Sequence, residues 1–180
     1  MPVQVYSLYI FDRHTECIYS KQWLSSAATA TSPGLAPSEK HRQQQQQQAN
    51  STDADQQQQQ QAPAKPRRNK GADDAKLIFG TVFSLRNMVR KLGGDDDAFI
   101  SFRTGQYKLH YYETPTNLRF ALLTEPGALS MRNVLHQIYI NLWVEYVVKN
   151  PLSPVEHKGG EGVRNEMFEL GLDKFIRGLM

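Results

Sequence analysis

Short segments in which apolar residues fill one or both faces predict five β-strands in this sequence. Residues Val3–Phe11 are rich in β-branched and aromatic side chains on both faces, as expected of a strand that is covered on both sides. Residues Glu16–Trp23 alternate between the two faces of a strand, with Cys17, Tyr19 and Trp23 on one face. They follow a turn at Asp12–Thr15, so the two segments predict a hairpin. Three further strands are joined by connections so short that they require antiparallel neighbours: Ala98–Thr104, Tyr107–Glu113 and Leu118–Thr124.

Three longer segments have the period of an α-helix. Asp74 can cap the first, which is expected to stop at Gly93-Gly94. The second is predicted from about Met131 to Val148 and the third from about Asn165 to Leu179. At about 100° per residue, one side of the first helix collects apolar residues that we expect to face the sheet: Leu77, Ile78, Val82, Leu85, Met88, Val89 and Leu92.

The predicted order of elements is β-β-α-β-β-β-α-α. This order defines the fold class as α/β, more narrowly α+β, because the strands are antiparallel rather than joined by crossover helices. A two-sided first strand, with helices before and after the strand block, predicts a five-stranded antiparallel sheet flanked by helices on both faces.

Residues 25–74 differ sharply in composition from the rest of the chain. They contain glutamine runs at 43–48 and 56–61 and no Phe, Tyr or Trp. Such a segment buries too little apolar surface to offset a backbone entropy cost of about 1–2 kcal/mol per ordered residue. We therefore predict a disordered Gln-rich insertion at 25–74 within one domain formed by residues 1–24 and 75–180.

Charge and cysteine content narrow the class of protein. The chain has 180 residues, a formal net charge of +3 and one cysteine, Cys17, so a disulfide framework is impossible and a cytoplasmic setting is expected. No run of about 18 apolar residues is present, which argues against a membrane span. Clustered cations occur only at Lys65–Lys70, inside the polar insertion, and therefore favour a solvated linker over a nucleic-acid surface.

No catalytic pattern is present. The sequence lacks phosphate-loop, dinucleotide, nucleophile-elbow and H-E-x-x-H motifs. The adjacent carboxylates Asp95–Asp97 lack the alternation of a calcium loop and are typical of a solvated turn. The five histidines are scattered over unrelated predicted elements. We therefore expect no enzyme, no cofactor and no metal site.

Two helices carry more apolar surface than one sheet can cover. Phe79 and Phe83 are rotated away from the main stripe of the first helix, and the second helix is apolar almost all round. Excess apolar surface is typical of a subunit that binds a partner protein. The predicted interface consists of Phe79, Phe83, Ile140, Trp143, Val144 and Val147.

Several separate motifs resemble one protein family. Tyr9–His14 followed by Cys17–Tyr19 and Trp23 looks like the opening hairpin of the sybindin-like (longin-fold) small subunits of TRAPP, the transport protein particle. Phe79-Gly80 together with Phe83–Arg86 is similar to the first helix of the same family. Later segments resemble its smallest members in particular: Thr104 with Tyr107–Thr116, and Val144–Leu152. The resemblance covers residues 3–24 and 75–180, essentially everything except the insertion.

The resemblance implies a longin/profilin-like fold and a role as a non-catalytic core subunit of the TRAPP tethering complex. That complex is a guanine-nucleotide exchange factor for a Rab GTPase in transport from the endoplasmic reticulum to the Golgi. Expected partners are therefore other small TRAPP subunits, with the Rab GTPase engaged through the assembled complex. The expected location is cytoplasmic, peripheral at the Golgi and endoplasmic reticulum, with membrane contact only through the complex and no nucleic acid.

Alternative functions make different demands on the sequence. A longin-type adaptor would share the fold, whereas a SNARE would need a long heptad repeat and a membrane anchor, neither of which is found here. A basic nucleic-acid-binding protein would use Lys65–Lys70 and would show strongly salt-dependent binding.

Overall fold

The computed structural model describes residues 2–24, 70–94, 97–157 and 162–180. Their strands form one five-stranded sheet in the order β2-β1-β5-β4-β3, and every neighbouring pair is antiparallel. The predicted sheet is thereby confirmed, with strand ends shifted by a few residues. The strands are β1 Val5–Phe11, β2 Cys17–Gln22, β3 Ser101–Arg103, β4 Lys108–Glu113 and β5 Arg119–Thr124.

Helices cover both faces of the sheet, as the sequence predicts. One face packs against α1, Lys70–Gly93, and the other packs against three consecutive segments that follow β5. All seven residues of β1 are buried because side chains from both faces of this strand meet a helix layer. The three segments are α2 Arg132–Gln137, a π-helix Ile138–Val148 and α3 Glu166–Arg177.

The start of α1 differs from the prediction. The helix begins at Lys70, so Asp74 lies inside it and is not its cap. Ala72 and Ala75 favour helix, and Asp73 in the first turn interacts favourably with the helix dipole, so the helix extends toward the N-terminus. The helix thus includes residues 70–74 of the predicted insertion, and residues 25–69 lie outside the described ranges.

The predicted end of α1 is confirmed. Gly94 has φ +91°, the left-handed conformation that glycine adopts without steric cost, and its N–H donates to the Arg90 carbonyl at 3.0 Å.

The second predicted helix changes its winding at Ile138. It starts as α2 and continues as a π-helix to Val148, and the Lys149 N–H donates to the Val144 carbonyl, five residues back. Wider turns place residues four to five positions apart on one face, so Trp143 and Val147 join Ile138 in the core, each no more than 5% exposed. The prediction that Trp143 and Val147 face a partner is therefore wrong.

A buried histidine fixes the start of this helical segment. The backbone N–H of Met131 donates to Nδ1 of His110 at 3.4 Å, so the ring proton resides on Nε2, which donates to Thr124 Oγ1 at 3.0 Å. Burial, with a smaller contribution from the charge of Lys108, lowers the pKa of His110 from 6.5 to about 4. The neutral imidazole thus connects β4, β5 and the residue that precedes α2.

Replacement of Trp143 tests the assignment of this side chain to the core. Its ring contacts Phe120 and Phe168 edge-on, with centroids 6.2 and 5.6 Å away. We expect Trp143→Ala to lower the free energy of unfolding by about 3–5 kcal/mol because it leaves a cavity. Ile140→Ala, at a position 42% exposed in the same helix, should cost about 1 kcal/mol or less. Equal losses in urea denaturation would contradict the assignment.

The pH dependence of stability tests the role of His110. Between pH 6.5 and about 4 the unfolded chain binds a proton at His110 that the folded chain does not, so stability should fall as the pH falls through this window. His110→Gln removes this contribution, so its free energy of unfolding should decline less steeply than that of the wild type. The exposed His14→Gln is the control for removal of a histidine outside the core. Urea denaturation across the window measures all three, and parallel slopes for His110→Gln and the wild type would refute the assignment.

Candidate partner interface

One side of α1 presents large apolar residues to solvent. Leu77, Met88 and Leu92 are 71%, 50% and 81% exposed. With Thr81 and Ser84 between them, the spacing of four, three, four and four residues places all five on one side of the helix. We call these five residues the outer row of α1.

The sequence prediction placed Leu77, Met88 and Leu92 against the sheet, and this part of it is wrong. The side of α1 that packs on the sheet is centred on Ala75 and Val82, which are buried. The apolar arc of α1 is wider than the strip that the sheet contacts, so the residues on its far edge remain exposed. Half-buried side chains complete the sheet-facing side: Ile78, Phe79, Leu85 and Val89.

Phe79 and Phe83 extend the core toward the surface. The Phe79 ring packs against Phe11 of β1 with centroids 5.2 Å apart, and Phe83 stacks on Phe79 at 5.9 Å. The guanidinium carbon of Arg119 lies 5.9 Å from the centre of the Phe79 ring, within range of a cation–π interaction. Phe79 is therefore half-buried, whereas Phe83 is 46% exposed.

A carboxylate at the end of β4 connects α1 to the sheet. Glu113 accepts from Nε of Arg86 on α1 at 2.7 Å and from Nε of Arg119 on β5 at 3.3 Å. Burial acts to raise the pKa of Glu113, but the hydrogen bonds and charges of the two arginines outweigh it and hold the pKa below 4.5. The ion pair with Arg86 therefore joins α1 to the end of β4.

The π-helix exposes a second apolar surface. Ile140 and Val148 are 42% and 63% exposed, and Val144 between them is partly exposed. A polar strip lies alongside, where Nδ2 of Asn141 donates to Oε1 of Gln137 at 2.7 Å.

The six residues predicted for an interface do not form one surface. Phe79 and Phe83 are on α1, whereas Ile140 and Val144 are on the helix layer that covers the opposite face of the sheet. The remaining two are the core residues of the π-helix described above. Sequence reasoning missed the outer row of α1, although its spacing is readable in the sequence once the sheet-facing side is known.

The described residues show no candidate metal site. Within them no group of three His, Cys, Asp or Glu side chains is placed to hold a metal ion. Burial raises the pKa of the Cys17 thiol, which opposes formation of a reactive thiolate. In the same part of the chain, no helix combines the length and hydropathy that crossing a bilayer requires.

Comparison with known proteins places the chain in a family. A model of the Sybindin-like family matches residues 5–179, and the chain belongs to this family. It is 38% identical over 180 residues to Transport protein particle subunit bet5 of Schizosaccharomyces pombe, with 97% of each chain covered.

Other relatives carry related names. Trafficking protein particle complex subunit 1 of Homo sapiens is 34% identical over 177 residues, which cover 97% of this chain and 93% of the relative. Trafficking protein particle complex subunit BET5 of Saccharomyces cerevisiae is 31% identical over 172 residues, which cover 94% and 86%. The similarity therefore extends over nearly the whole of each protein.

Proposed function

We propose that this chain is a non-catalytic core subunit of a TRAPP tethering complex. The observation that carries the proposal is the match of residues 5–179 to the Sybindin-like family, whose full-length relatives are named as subunits of the particle. Exposed apolar residues on α1 and on the π-helix support it, because such surfaces are typical of subunits that bury them against partners.

The proposed action of the assembled complex is nucleotide exchange on a Rab GTPase in transport between the endoplasmic reticulum and the Golgi. An exchange factor works by differential binding, since it favours the nucleotide-free GTPase over the nucleotide-bound one. In this proposal the chain contributes contact surface and holds no nucleotide, in keeping with a sequence that lacks a phosphate loop. The complex would also hold the chain peripherally at Golgi and endoplasmic reticulum membranes.

The outer row of α1 is the proposed contact with another small subunit. A helix with exposed large apolar residues and small polar ones along one side is suited to packing against a second helix, where its large side chains leave water. Leu77 and Leu92 lie fifteen residues apart, so the row extends for roughly four helical turns. Phe83, Ile140 and Val144 remain proposed contacts, and the separate location of the last two suits a second partner.

Affinity purification tests the subunit assignment. Protein tagged at its native locus and expressed at native level should co-elute with several similarly small proteins in constant ratio, because a core subunit is buried in a stable assembly. Mass spectrometry of the eluate, combined with size-exclusion chromatography, provides the measurement. Recovery of the chain alone, or with ribonucleoproteins, would refute the assignment.

Charged substitutions in the outer row test the α1 contact. We expect Leu77→Glu/Met88→Glu to prevent co-elution with at least one small subunit, because burial of unpaired carboxylates is strongly unfavourable. Both positions are at least half exposed, so circular dichroism and melting temperature of the isolated chain should remain close to wild type.

A matched control is Leu129→Glu. Leu129 lies outside the helices and is 81% exposed, which is the exposure of Leu92 in the outer row. The substitution introduces the same kind of charge at an apolar surface position away from α1 and should leave assembly intact. Normal assembly of Leu77→Glu/Met88→Glu, or equal loss with Leu129→Glu, would count against the α1 contact while leaving the subunit assignment standing.

A further inference from the structure

A polar cavity of about 390 Å³ lies where the C-terminal half of α1, the end of β4 and the start of α2 meet. Three arginines line it, Arg86 and Arg90 from α1 and Arg132 from α2. Tyr111 and Glu113 of β4 also line it. Two helices on opposite faces of the sheet thus bring guanidinium groups to one end of the molecule.

The charges in this cavity are unbalanced. Glu113 is its single acidic lining residue, and the ion pairs with Arg86 and Arg119 already engage that carboxylate. Arg90 and Arg132 have no ion-pair partner among the residues that the structure describes. Three guanidinium groups against one carboxylate leave the lining with a formal charge of +2.

A buried tyrosine closes one side of the cavity. Tyr111 is 3% exposed, and its hydroxyl lies beside Glu113 and Arg86, whose charges act on it. Glu113 is already engaged, so the groups left to bind a ligand are the N–H donors of Arg90 and Arg132.

We propose that this cavity binds a phosphate monoester. A phosphate monoester carries a charge of about −1.5 to −2 near neutral pH and several strong acceptor oxygens, which matches both the charge and the donors of the lining. Guanidinium groups recognise phosphate through paired N–H donors. A single carboxylate would leave part of the positive charge unbalanced and part of the volume empty.

The cavity and the outer row are on different sides of α1. Arg86 follows the buried Val82 by one helical turn and is itself half-buried, whereas Leu77, Met88 and Leu92 are directed to solvent. Binding in the cavity would therefore leave the proposed subunit contact free. The inference does not depend on the proposed function, since it rests on the residues of the isolated chain.

Isothermal titration of the full chain with inorganic phosphate, at constant ionic strength set by chloride, tests the proposal. We expect saturable binding that is weakened about tenfold or more by Arg90→Ala/Arg132→Ala, because each charge-assisted hydrogen bond contributes enough for such a change. These substitutions leave the Glu113 ion pairs in place, so the fold should persist. The matched control, Arg103→Ala/Arg164→Ala, removes the same charge at exposed positions outside the cavity lining and should bind normally.

A subtler variant separates charge from hydrogen-bond geometry. Arg90→Lys/Arg132→Lys keeps both charges but removes the paired N–H donors of the guanidinium groups, so it should weaken phosphate binding several-fold without lowering the melting temperature. Flotation with phosphatidylcholine vesicles that contain phosphatidic acid then identifies the source of the phosphate, against phosphatidylserine vesicles of equal charge. Preference for phosphatidic acid that is lost in Arg90→Ala/Arg132→Ala assigns a lipid headgroup, and binding of inorganic phosphate without flotation assigns a soluble ligand.

Three results would overturn the proposal. One is no binding of either probe by the native chain. Another is equal weakening by the cavity variant and its control. The third combines two findings: the native chain binds no phosphate, and Arg90→Ala/Arg132→Ala fails to assemble with other subunits. That result would show that a carboxylate of a partner subunit occupies the cavity.

Discussion

The structure depends on the burial of the central sheet on both faces. β1 has no face free for solvent, since all seven of its residues are buried, and one helix layer is therefore required on each side. A single helix, α1, covers one face, whereas α2, the π-helix and α3 cover the other. A lone helix can turn only one side toward a sheet, so the remaining apolar residues of α1 stay exposed.

This asymmetry explains which parts of the fold could be predicted. The strands have a period of two, and turns such as Thr114–Asn117 allow few alternatives, so the sheet and its antiparallel pairing are readable from the sequence. In that turn the side-chain oxygen of Thr114 accepts from Leu118 N–H at 3.1 Å, and Asn117 adopts φ +61°. These local constraints operate without knowledge of the tertiary structure.

The candidate site was less predictable because it depends on the orientation of helices. A helical wheel shows that α1 is apolar over a wide arc, but only the contacts with the sheet decide which edge of that arc is covered. The same wheel assumes a constant rotation per residue, which fails from Ile138 onward and reverses the assignment of Trp143. Both differences arise from packing, which propensity and periodicity do not contain.

The π-helix has a consequence for how this segment can change. Each of its hydrogen bonds closes over one residue more than in an α-helix, so successive side chains rotate about the helix axis by a smaller angle. Replacement of an outward side chain such as Ile140 leaves these angles unchanged. Loss of one residue, in contrast, would rotate every later side chain about the axis. α3 packs against the π-helix and would lose these contacts. The number of residues between Ile138 and Val148 is therefore more tightly constrained than their identity.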